Sequence, residues 1–313
     1  MSELTGRLDR YRDHVGEWTE FLEACERPLP LVVWENPLRR QLIERLNPDG
    51  TGLAGLLQSR GHRTRALDWY PGALRVEGLD KPGHTLEFHI GAMHVQEEVS
   101  LAPPVVLDPQ PGERVLDLCA APGGKTVGLS IRMRGRGTLV ANDIRTHRLR
   151  ALRATCERLG ALNVVVTPID GTTYPLAAGP FDRILLDVPC SCEGNVRDTP
   201  EAAGRGRSPF MEGRSGLQAT LLGRAWKLLR PGGILVYATC TFAPEENEAV
   251  LDYVLGDDAR IEPVSVPGLH SAPGIDQWQG RSFRPDVVHL ARYWPHLHDT
   301  GGFTLARIRK VGP

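Results

Sequence analysis

Arg114-Val-Leu-Asp-Leu-Cys-Ala-Ala-Pro-Gly-Gly-Lys125 is the stretch that decides the fold. Its apolar first half predicts a buried strand, and residues 126–133 predict a helix. The turn between them consists of small residues, so a ligand can approach the backbone closely. A P-loop would need glycine where Cys119 stands, and the dinucleotide pattern G-x-G-x-x-G is absent. The stretch therefore predicts a strand–turn–helix unit that binds something other than a dinucleotide.

Strands and helices alternate from this stretch to the end of the chain. Further strands are expected over residues 138–141, 163–167, 181–186, 234–238 and 303–309, and helices over residues 146–159, 216–229 and 245–255. This order predicts an α/β fold with a mostly parallel, doubly wound sheet. Such a sheet binds its ligand at the carboxyl ends of the strands.

The N-terminal part predicts a second, smaller unit. We expect a helix over residues 5–25, a strand over 31–34, a helix over 36–46, and strands over 74–76 and 85–90. The expected domains are an RNA-binding-like α/β module at residues 1–90 and a catalytic domain at residues 91–313. Residues 1–100 carry 12 basic and 16 acidic side chains, so this part of the chain is acidic.

Composition excludes several classes of protein. The chain has 313 residues, 37 basic and 38 acidic side chains, and a net charge of −1, which is not that of a simple polycation. No run of about 18 apolar residues predicts a membrane span, and the first residues lack the apolar core of a secretory signal. The six cysteines are not spaced as a disulfide framework. We expect a cytoplasmic protein with free thiols and no membrane association.

Asp143 lies twenty residues after Gly123, at the end of the next predicted strand. An acidic residue there accepts hydrogen bonds from ribose hydroxyls. Together with a glycine-rich turn that lacks a phosphate motif, it suggests a nucleoside-type cofactor such as S-adenosylmethionine. The alternative is a tight structural turn followed by a surface aspartate.

Cysteines follow the next two predicted strand ends, in Asp187-Val-Pro-Cys190-Ser-Cys192 and in Ala238-Thr-Cys240-Thr. A thiolate is a strong nucleophile. Its addition to carbon 6 of cytosine makes carbon 5 able to attack a sulfonium methyl group. Two inert buried thiols are the alternative. A zinc site is disfavoured because Cys190 and Cys192 are one residue apart and no second pair follows, so no metal is expected.

These motifs resemble those of the RNA 5-methylcytosine methyltransferases of the RsmB/RsmF/NSUN type, whose fold is the Rossmann-like fold of class I S-adenosylmethionine-dependent methyltransferases. The resemblance rests on residues 116–126, Asp187-Val-Pro-Cys-Ser, Arg230-Pro-Gly-Gly, Thr239-Cys-Thr followed by Pro-Glu-Glu-Asn-Glu, and the closing Arg292-Tyr-Trp-Pro-His with Gly301-Gly-Phe-Thr-Leu-Ala-Arg. It covers residues 89–313 well and the N-terminal module loosely.

The resemblance implies a role for each motif. Cys240 would be the nucleophile and Cys190 would help to release the methylated base, while Lys125 favours the thiolate. Asp143 would hold the ribose of S-adenosylmethionine and Asp170 would lie near the adenine. The implied catalytic residues are Cys240, Cys190, Asp187 and Lys125; the implied cofactor-binding residues are Cys119, Ala120, Ala121, Pro122, Gly123, Gly124, Lys125, Asp143, Arg148, Asp170 and Asp187.

Two features depart from the family pattern. Cys192 stands where the family usually has glycine, and we interpret it as tolerated. Residues 33–37 only partly match the Arg-x-Asn element of relatives, which puts RNA contact there in doubt. Arginine-rich residues 131–160 and 197–230 are the alternative RNA contacts, and residues 197–214 predict a mobile loop that becomes ordered over RNA.

The predicted partner is RNA, with ribosomal RNA favoured over transfer RNA. The target base must be single-stranded or flipped out, because carbons 5 and 6 have to be exposed. We expect a monomer, and the acidic N-terminal module allows for a helper RNA-binding protein. The competing hypotheses are a non-catalytic RNA-binding assembly factor and an amino-group methyltransferase. The paired cysteine motifs disfavour both.

Overall fold

The computed structural model of the chain describes residues 3–207 and 210–312. Its α-helices are α1 (Glu3–Leu8), α2 (Arg12–Val15), α3 (Trp18–Glu26), α4 (Arg40–Leu46), α5 (Gly52–Ser59), α6 (Leu86–His89), α7 (Ala102–Leu107), α8 (Gly124–Arg132), α9 (Thr146–Leu159), α10 (Phe210–Leu228), α11 (Glu248–Val254) and α12 (Pro295–His298). Within these described residues, no helix is long and apolar enough to cross a bilayer.

The strands form a small sheet and a large one. They are β1 (Leu31–Glu35), β2 (Arg63–Ala66), β3 (Ala73–Glu77), β4 (Met93–Val95), β5 (Arg114–Asp117), β6 (Thr138–Asn142), β7 (Val164–Thr167), β8 (Phe181–Asp187), β9 (Leu229–Thr239), β10 (Ala259–Glu262), β11 (Ala272–Pro273), β12 (Gln277–Trp278), β13 (Arg281–Ser282), β14 (Ala291–Tyr293) and β15 (Phe303–Lys310). The small sheet has the order β2-β3-β1-β4 and is antiparallel.

The large sheet confirms the predicted α/β fold. Its order is β11-β14-β15-β9-β8-β5-β6-β7, with β10 added beside β15. The central strands β9, β8, β5, β6 and β7 are parallel, whereas β15 is antiparallel to β9. Helices α8 and α9 pack on one face and α10 and α11 on the other. The strand order reverses between β5 and β8, which is where such sheets bind ligands.

Two predictions for the N-terminal part are wrong in detail. The strand expected over residues 85–90 is instead helix α6 (Leu86–His89), because the Thr85 hydroxyl accepts a hydrogen bond from the backbone N–H of Phe88 and caps a helical turn. The single helix expected over residues 5–25 is interrupted at Gly16, whose φ of 82° lies in the left-handed region. The small sheet itself extends to Val95, and the domain division at residue 90 stays a prediction.

Helices α1–α3 pack away from the small sheet. Their apolar side chains join an aromatic cluster contributed by the C-terminal part of the chain. Tyr11 stacks on Trp278 with ring centroids 5.8 Å apart, and it meets Phe242 edge-on at the same distance. Phe21 packs edge-on against Trp294. Helices α1–α3 therefore support the region that follows β9, where the Thr-Cys motif lies.

Candidate active site

The turn after β5 is shaped by one glycine. Gly123 has a φ of +108°, and a Cβ atom there would lie 2.9 Å from the Leu152 side chain. The turn is joined to the adjacent β6 end, since the N–H of Ala120 donates to the carbonyl of Asn142 at 2.7 Å. Only glycine gives this turn its conformation and its close approach to α9.

The predicted ribose acid lies beside this turn. Asp143 is buried, and its carboxylate accepts a hydrogen bond from the N–H of Ala121 at 3.3 Å. The guanidinium of Arg148 forms an ion pair with it at 3.3 Å and also donates to the Ala121 carbonyl. Carboxylate oxygens have further lone pairs, so Asp143 retains the capacity to accept bonds from a diol.

A cavity of about 890 Å³ joins the cofactor turn to the cysteine loops. The predicted residues that line it are Cys119, Ala121, Lys125, Asp143, Arg148, Asp170, Asp187, Cys190 and Cys240. The remaining turn residues, Ala120, Pro122, Gly123 and Gly124, line a smaller adjoining cavity of about 210 Å³. The structure thus brings the predicted residues together around two adjoining cavities. Part of the turn lines the smaller cavity, whereas the thiols of Cys190 and Cys240 line the larger one.

Other lining residues were missed by the sequence analysis. Ile144 is 56% exposed and lines the cavity next to Asp143, and Phe303 lines it at the start of β15. The position of Ile144, an apolar residue directly after Asp143, is a sequence feature from which its place in the cavity could be predicted. Phe303 belongs to the closing Gly301-Gly-Phe motif, but no pattern in the sequence places it at the cavity, because the pairing of β15 with β9 brings it there.

Three sulfur atoms meet at the ends of β8 and β9. The Sγ atom of Cys190 lies 3.3 Å from that of Cys240 and 4.0 Å from that of Cys192, and all three lie within 4.8 Å of one another. Cys25 and Cys156 are buried on helices α3 and α9, as predicted for inert thiols. The fold therefore adds Cys192 to the predicted pair.

The segment after β9 holds the two cysteine loops in place. The Glu246 carboxylate accepts hydrogen bonds from the N–H of Ser191 and from the amide of Gln218, both at 2.9 Å. The hydroxyls of Ser191 and Thr241 are hydrogen-bonded at 2.7 Å. Asn247 accepts from Thr239 at 2.6 Å. This explains physically why Pro-Glu-Glu-Asn-Glu accompanies the Thr-Cys motif.

Hydrogen bonds among the three sulfurs shift the pKa values of the three thiols in different directions. Hydrogen bonds from the other two thiols lower the pKa of Cys192 to about 3, with help from the positive charges of Arg214 and Arg205. Bonds with Cys192 and Cys240, and then burial, raise the pKa of Cys190. The bond from Cys190 lowers the pKa of Cys240, but Cys192 and burial outweigh it and leave this pKa raised.

Lys125 and Asp187 connect the cofactor turn to the thiols. The Lys125 ammonium is 2.9 Å from the Asp187 carboxylate and 5.5 Å from the centre of the Phe303 ring. Burial lowers the pKa of Lys125, but Asp187 and the negative charge of a Cys240 thiolate more than compensate and raise it. Lys125 therefore stays positively charged beside Cys240.

Residues 197–214, predicted to form a mobile loop that becomes ordered over RNA, begin with an arginine, Arg197, that has a different role. This side chain is buried and donates to the carbonyls of Arg27 and Thr300 and to the Asp299 carboxylate, so it stabilises the fold and does not face RNA. Helix α10 begins at Phe210, six residues before its predicted start at Gly216. Residues 208 and 209, within the predicted loop, lie outside the described residues.

Known proteins are similar to this chain in sequence and in fold. The family model described as "16S rRNA methyltransferase RsmB/F" matches residues 104–309. The chain is 41% identical over 306 residues to a tRNA (cytosine(49)-C(5))-methyltransferase of Pyrococcus abyssi, covering 97% of this chain and 95% of that protein. It is 34% identical over 303 residues to a 28S rRNA (cytosine-C(5))-methyltransferase of Mus musculus, covering 95% of this chain and 37% of that protein.

The fold also matches solved structures along its whole length. A methyltransferase homolog from Pyrococcus horikoshii has a TM-score of 0.80 at 33% identity, covering 99% of this chain and all of that one. NSun6 from the same organism has a TM-score of 0.80 at 22% identity, covering 97% of each chain, and supports the fold alone. The likeness to the first structure thus extends over the part of this chain that forms the small sheet as well as the part that forms the large one.

Proposed function

Since the chain belongs to the 16S rRNA methyltransferase RsmB/F family, we propose that its three-thiol pocket methylates carbon 5 of cytosine in RNA through a covalent cysteine adduct. The reaction class is RNA (cytosine-5)-methylation and the cofactor is S-adenosylmethionine. The non-catalytic assembly factor remains the contrasting hypothesis for this particular chain.

One observation carries the proposal. Cys190 and Cys240 present their sulfurs 3.3 Å apart in the same cavity that Asp143 and Asp170 line. A nucleophile and a methyl donor must meet at one base, and this cavity is large enough for a nucleoside cofactor beside a flipped cytosine. An inert pair of core cysteines would not need to lie in a shared cavity.

The proposed roles are those that the family resemblance implies, and the positions of the residues in the cavity support them. The Cys240 thiolate adds to carbon 6, and the electron pair of the 5,6 double bond moves to carbon 5. S-adenosylmethionine supplies a methyl group on a positively charged sulfur, which this carbon accepts. Cys190, as a thiolate, then accepts the carbon 5 proton, the electron pair of that C–H bond re-forms the 5,6 double bond, and the Cys240–carbon 6 bond breaks with its electron pair returning to the Cys240 sulfur. Cys190 assists this last release, and Lys125 stabilises the Cys240 thiolate by its positive charge.

Asp187 is proposed to bind the polar edge of the base. It lines both cavities and forms the ion pair with Lys125. The cofactor's methionine part is assigned to the turn at residues 119–125, its ribose to Asp143 with Arg148 in support, and its adenine to Asp170 and Ile144. These assignments are supported by the two adjoining cavities and by the buried carboxylate of Asp143.

Methyl transfer from labelled S-adenosylmethionine to RNA tests the proposal. Cys240→Ala is expected to abolish transfer while the affinity for S-adenosylmethionine stays within about twofold. Cys156→Ala is the matched control, because Cys156 is a buried thiol on α9 that does not line the cavity. Full activity of Cys240→Ala would overturn the covalent mechanism, and a wild-type chain that binds RNA without any transfer would favour the assembly factor.

Ribosomal RNA is the proposed substrate, supported by the family description and by the names of the animal and yeast relatives. Transfer RNA is the second candidate, favoured by one observation: the relative matched over 95% of its own length is named for tRNA, whereas the chain spans less than half of those rRNA relatives. Bisulfite sequencing of both RNA classes from cells lacking the protein distinguishes the two substrates.

The proposed location of the protein is the cytoplasm. The six cysteines are free, as expected in a reducing cytoplasm. A monomeric state and a helper RNA-binding protein stay predictions. Sedimentation of the purified chain and a comparison of its RNA affinity with and without cell extract would test them.

A further inference from the structure

The cluster of three sulfurs at the ends of β8 and β9 contains one thiol more than the proposed reaction uses. Addition to carbon 6 needs Cys240 and release needs Cys190, which leaves Cys192 without a step. Cys192 also has a left-handed backbone, with φ 60° and ψ 27°. Non-glycine residues seldom adopt this conformation, and it concentrates at functional sites. The left-handed backbone of Cys192 and the nearby sulfurs of Cys190 and Cys240 together suggest that the Cys192 thiol has a function of its own.

We propose that Cys190, Cys192 and Cys240 form a binding site for Zn²⁺ that competes with cytosine. Zinc binds thiolates at about 2.3 Å in a tetrahedron, which places sulfurs about 3.8 Å apart. The two measured separations, 3.3 and 4.0 Å, lie on either side of this value. The third pair lies within 4.8 Å, so small rotations of the side chains bring all three sulfurs to one ion.

The number of ligands fits an open rather than a closed zinc site. Three protein ligands leave the fourth tetrahedral position free for water or substrate. Here the fourth position opens into the cavity that all three cysteines line. Spacing along the chain disfavours zinc, because Cys190 and Cys192 are one residue apart and no second cysteine pair follows. The pairing of β8 with β9 brings Cys240 to them from 50 residues away.

The surroundings are rigid and balance the charge. One Zn²⁺ with three thiolates carries a net charge of −1. The Arg214 guanidinium donates to the Cys190 carbonyl at 2.8 Å, and Lys125, which lines the same cavity, is positively charged beside Cys240. The Ser191–Thr241 and Ser191–Glu246 hydrogen bonds fix the two loops against each other. The ligands are therefore preorganised, which reduces the entropic cost of binding.

Occupation by zinc would block the nucleophile. Cys240 cannot add to cytosine while its sulfur is bonded to the metal, so binding inhibits methyl transfer. This consequence rests on the proposed function, whereas the metal site itself does not. The two claims therefore need separate readouts.

The experiment measures metal binding first. The purified full chain is titrated with Zn²⁺ against a chromophoric chelator, and with Cd²⁺ while the thiolate-to-cadmium charge-transfer absorbance is followed. We expect one ion per chain with three thiolates. Cys192→Gly should weaken binding at least tenfold, because disturbing even a residue that supports a ligand costs roughly 10–100-fold. Cys192→Ser is the second variant, and Cys156→Ala, which leaves the cluster intact, should bind as the wild type does.

Methyl transfer is then measured against free Zn²⁺ for each variant relative to its own metal-free activity. The inhibitory concentration should rise for Cys192→Gly as its affinity falls, and excess RNA should oppose inhibition. Absence of binding, or equal binding by wild type and both Cys192 variants, would overturn the site. Binding without inhibition would overturn competition alone. Failure of the proposed function would leave the binding result unaffected.

Discussion

The sulfurs of Cys190 and Cys240 lie 3.3 Å apart although 50 residues separate them in the chain. Strands β8 and β9 are parallel neighbours in which Asp187 is paired with Ala238. Each cysteine follows its paired residue by two or three positions, so the loops leave the sheet side by side. The short separation is thus a consequence of strand register, and changes that shift either loop should impair catalysis without touching a thiol.

Glu246→Ala tests the coupling of the two loops. The substitution leaves the buried N–H of Ser191 and the amide of Gln218 without their shared acceptor. We expect a loss of about 1–3 kcal/mol in the free energy of unfolding. We also expect a kcat lower by roughly a hundredfold, as for misplacement of reacting groups by about 1 Å. Affinity for S-adenosylmethionine should change little, because Asp143 lies in another loop.

Urea denaturation and single-turnover methyl transfer measure these effects. Asp252→Asn is a control on helix α11, which begins two residues after Glu246, and the Asp252 carboxylate is paired with the more exposed Arg281. If Glu246→Ala retained wild-type kcat, the loops would not depend on this carboxylate.

Glu193 predicts a pH dependence of stability. Burial raises its pKa to about 7, although hydrogen bonds from Tyr11 and Gly204 lower it. Because the pKa of Glu193 is higher in the folded chain than in the unfolded chain, protonation of Glu193 stabilises the fold. This contribution to the free energy of unfolding is fully present below the unfolded pKa near 4.5 and is lost as pH rises through about 7. Relative to Glu193→Gln, wild type should lose roughly 3 kcal/mol between these pH values.

The difference in unfolding free energy between wild type and Glu193→Gln, measured from pH 4.5 to pH 8, isolates this group. The subtraction removes the contribution of Asp117, whose pKa burial also raises to about 7. A difference that stays constant with pH would show that Glu193 keeps its ordinary pKa in the folded chain.

Arg197→Ala should affect stability and spare RNA binding. The buried guanidinium bonds to the carbonyls of Arg27, Pro28 and Thr300 and pairs with Asp299 at 2.7 Å. Its removal leaves these acceptors unsatisfied, and we expect a loss of about 3–5 kcal/mol. RNA affinity measured well below the melting temperature should match that of wild type. A selective loss of RNA affinity at unchanged stability would restore the original loop hypothesis.

Exposed arginines at and after the β6 end are the better candidates for phosphate contacts. Arg145, Arg150 and Arg153 are exposed, and Arg145 also lines the cavity. Replacing all three by alanine should weaken RNA binding and reduce the slope of log affinity against log salt by about 2, at roughly 0.7 per phosphate contact to a single strand. Cofactor affinity should be unchanged. An unaltered salt slope would mean that RNA binds elsewhere.

Local signals in the sequence predicted most of the catalytic half. Strand–turn–helix units have short-range patterns, and parallel strands place their carboxyl ends at one edge, so the meeting of Cys190 with Cys240 followed from the strand order. The role of Arg197 did not, because its partners come from two distant parts of the chain. Helix α6 was missed because a single Thr85 cap overrode an apolar pattern.

Contacts between residues far apart in the chain account for two further features that the sequence did not predict. The strand β15 carries Phe303 to the cavity through its register with β9, and Tyr11 reaches the Trp278 ring across most of the chain. Neither contact has a periodic signature in the sequence. Cys192 stands out in the sequence beside Cys190, but its distance from Cys190 and Cys240 follows only from the fold.

The most direct test of the covalent account is the fate of a Cys190→Ala chain mixed with substrate RNA and S-adenosylmethionine. If Cys240 attacks and Cys190 promotes release, this variant should accumulate a protein–RNA adduct that survives denaturing electrophoresis. The double variant Cys190→Ala with Cys240→Ala should form none. An adduct that persists in the double variant, or a Cys190→Ala chain that turns over freely without any adduct, would contradict the account.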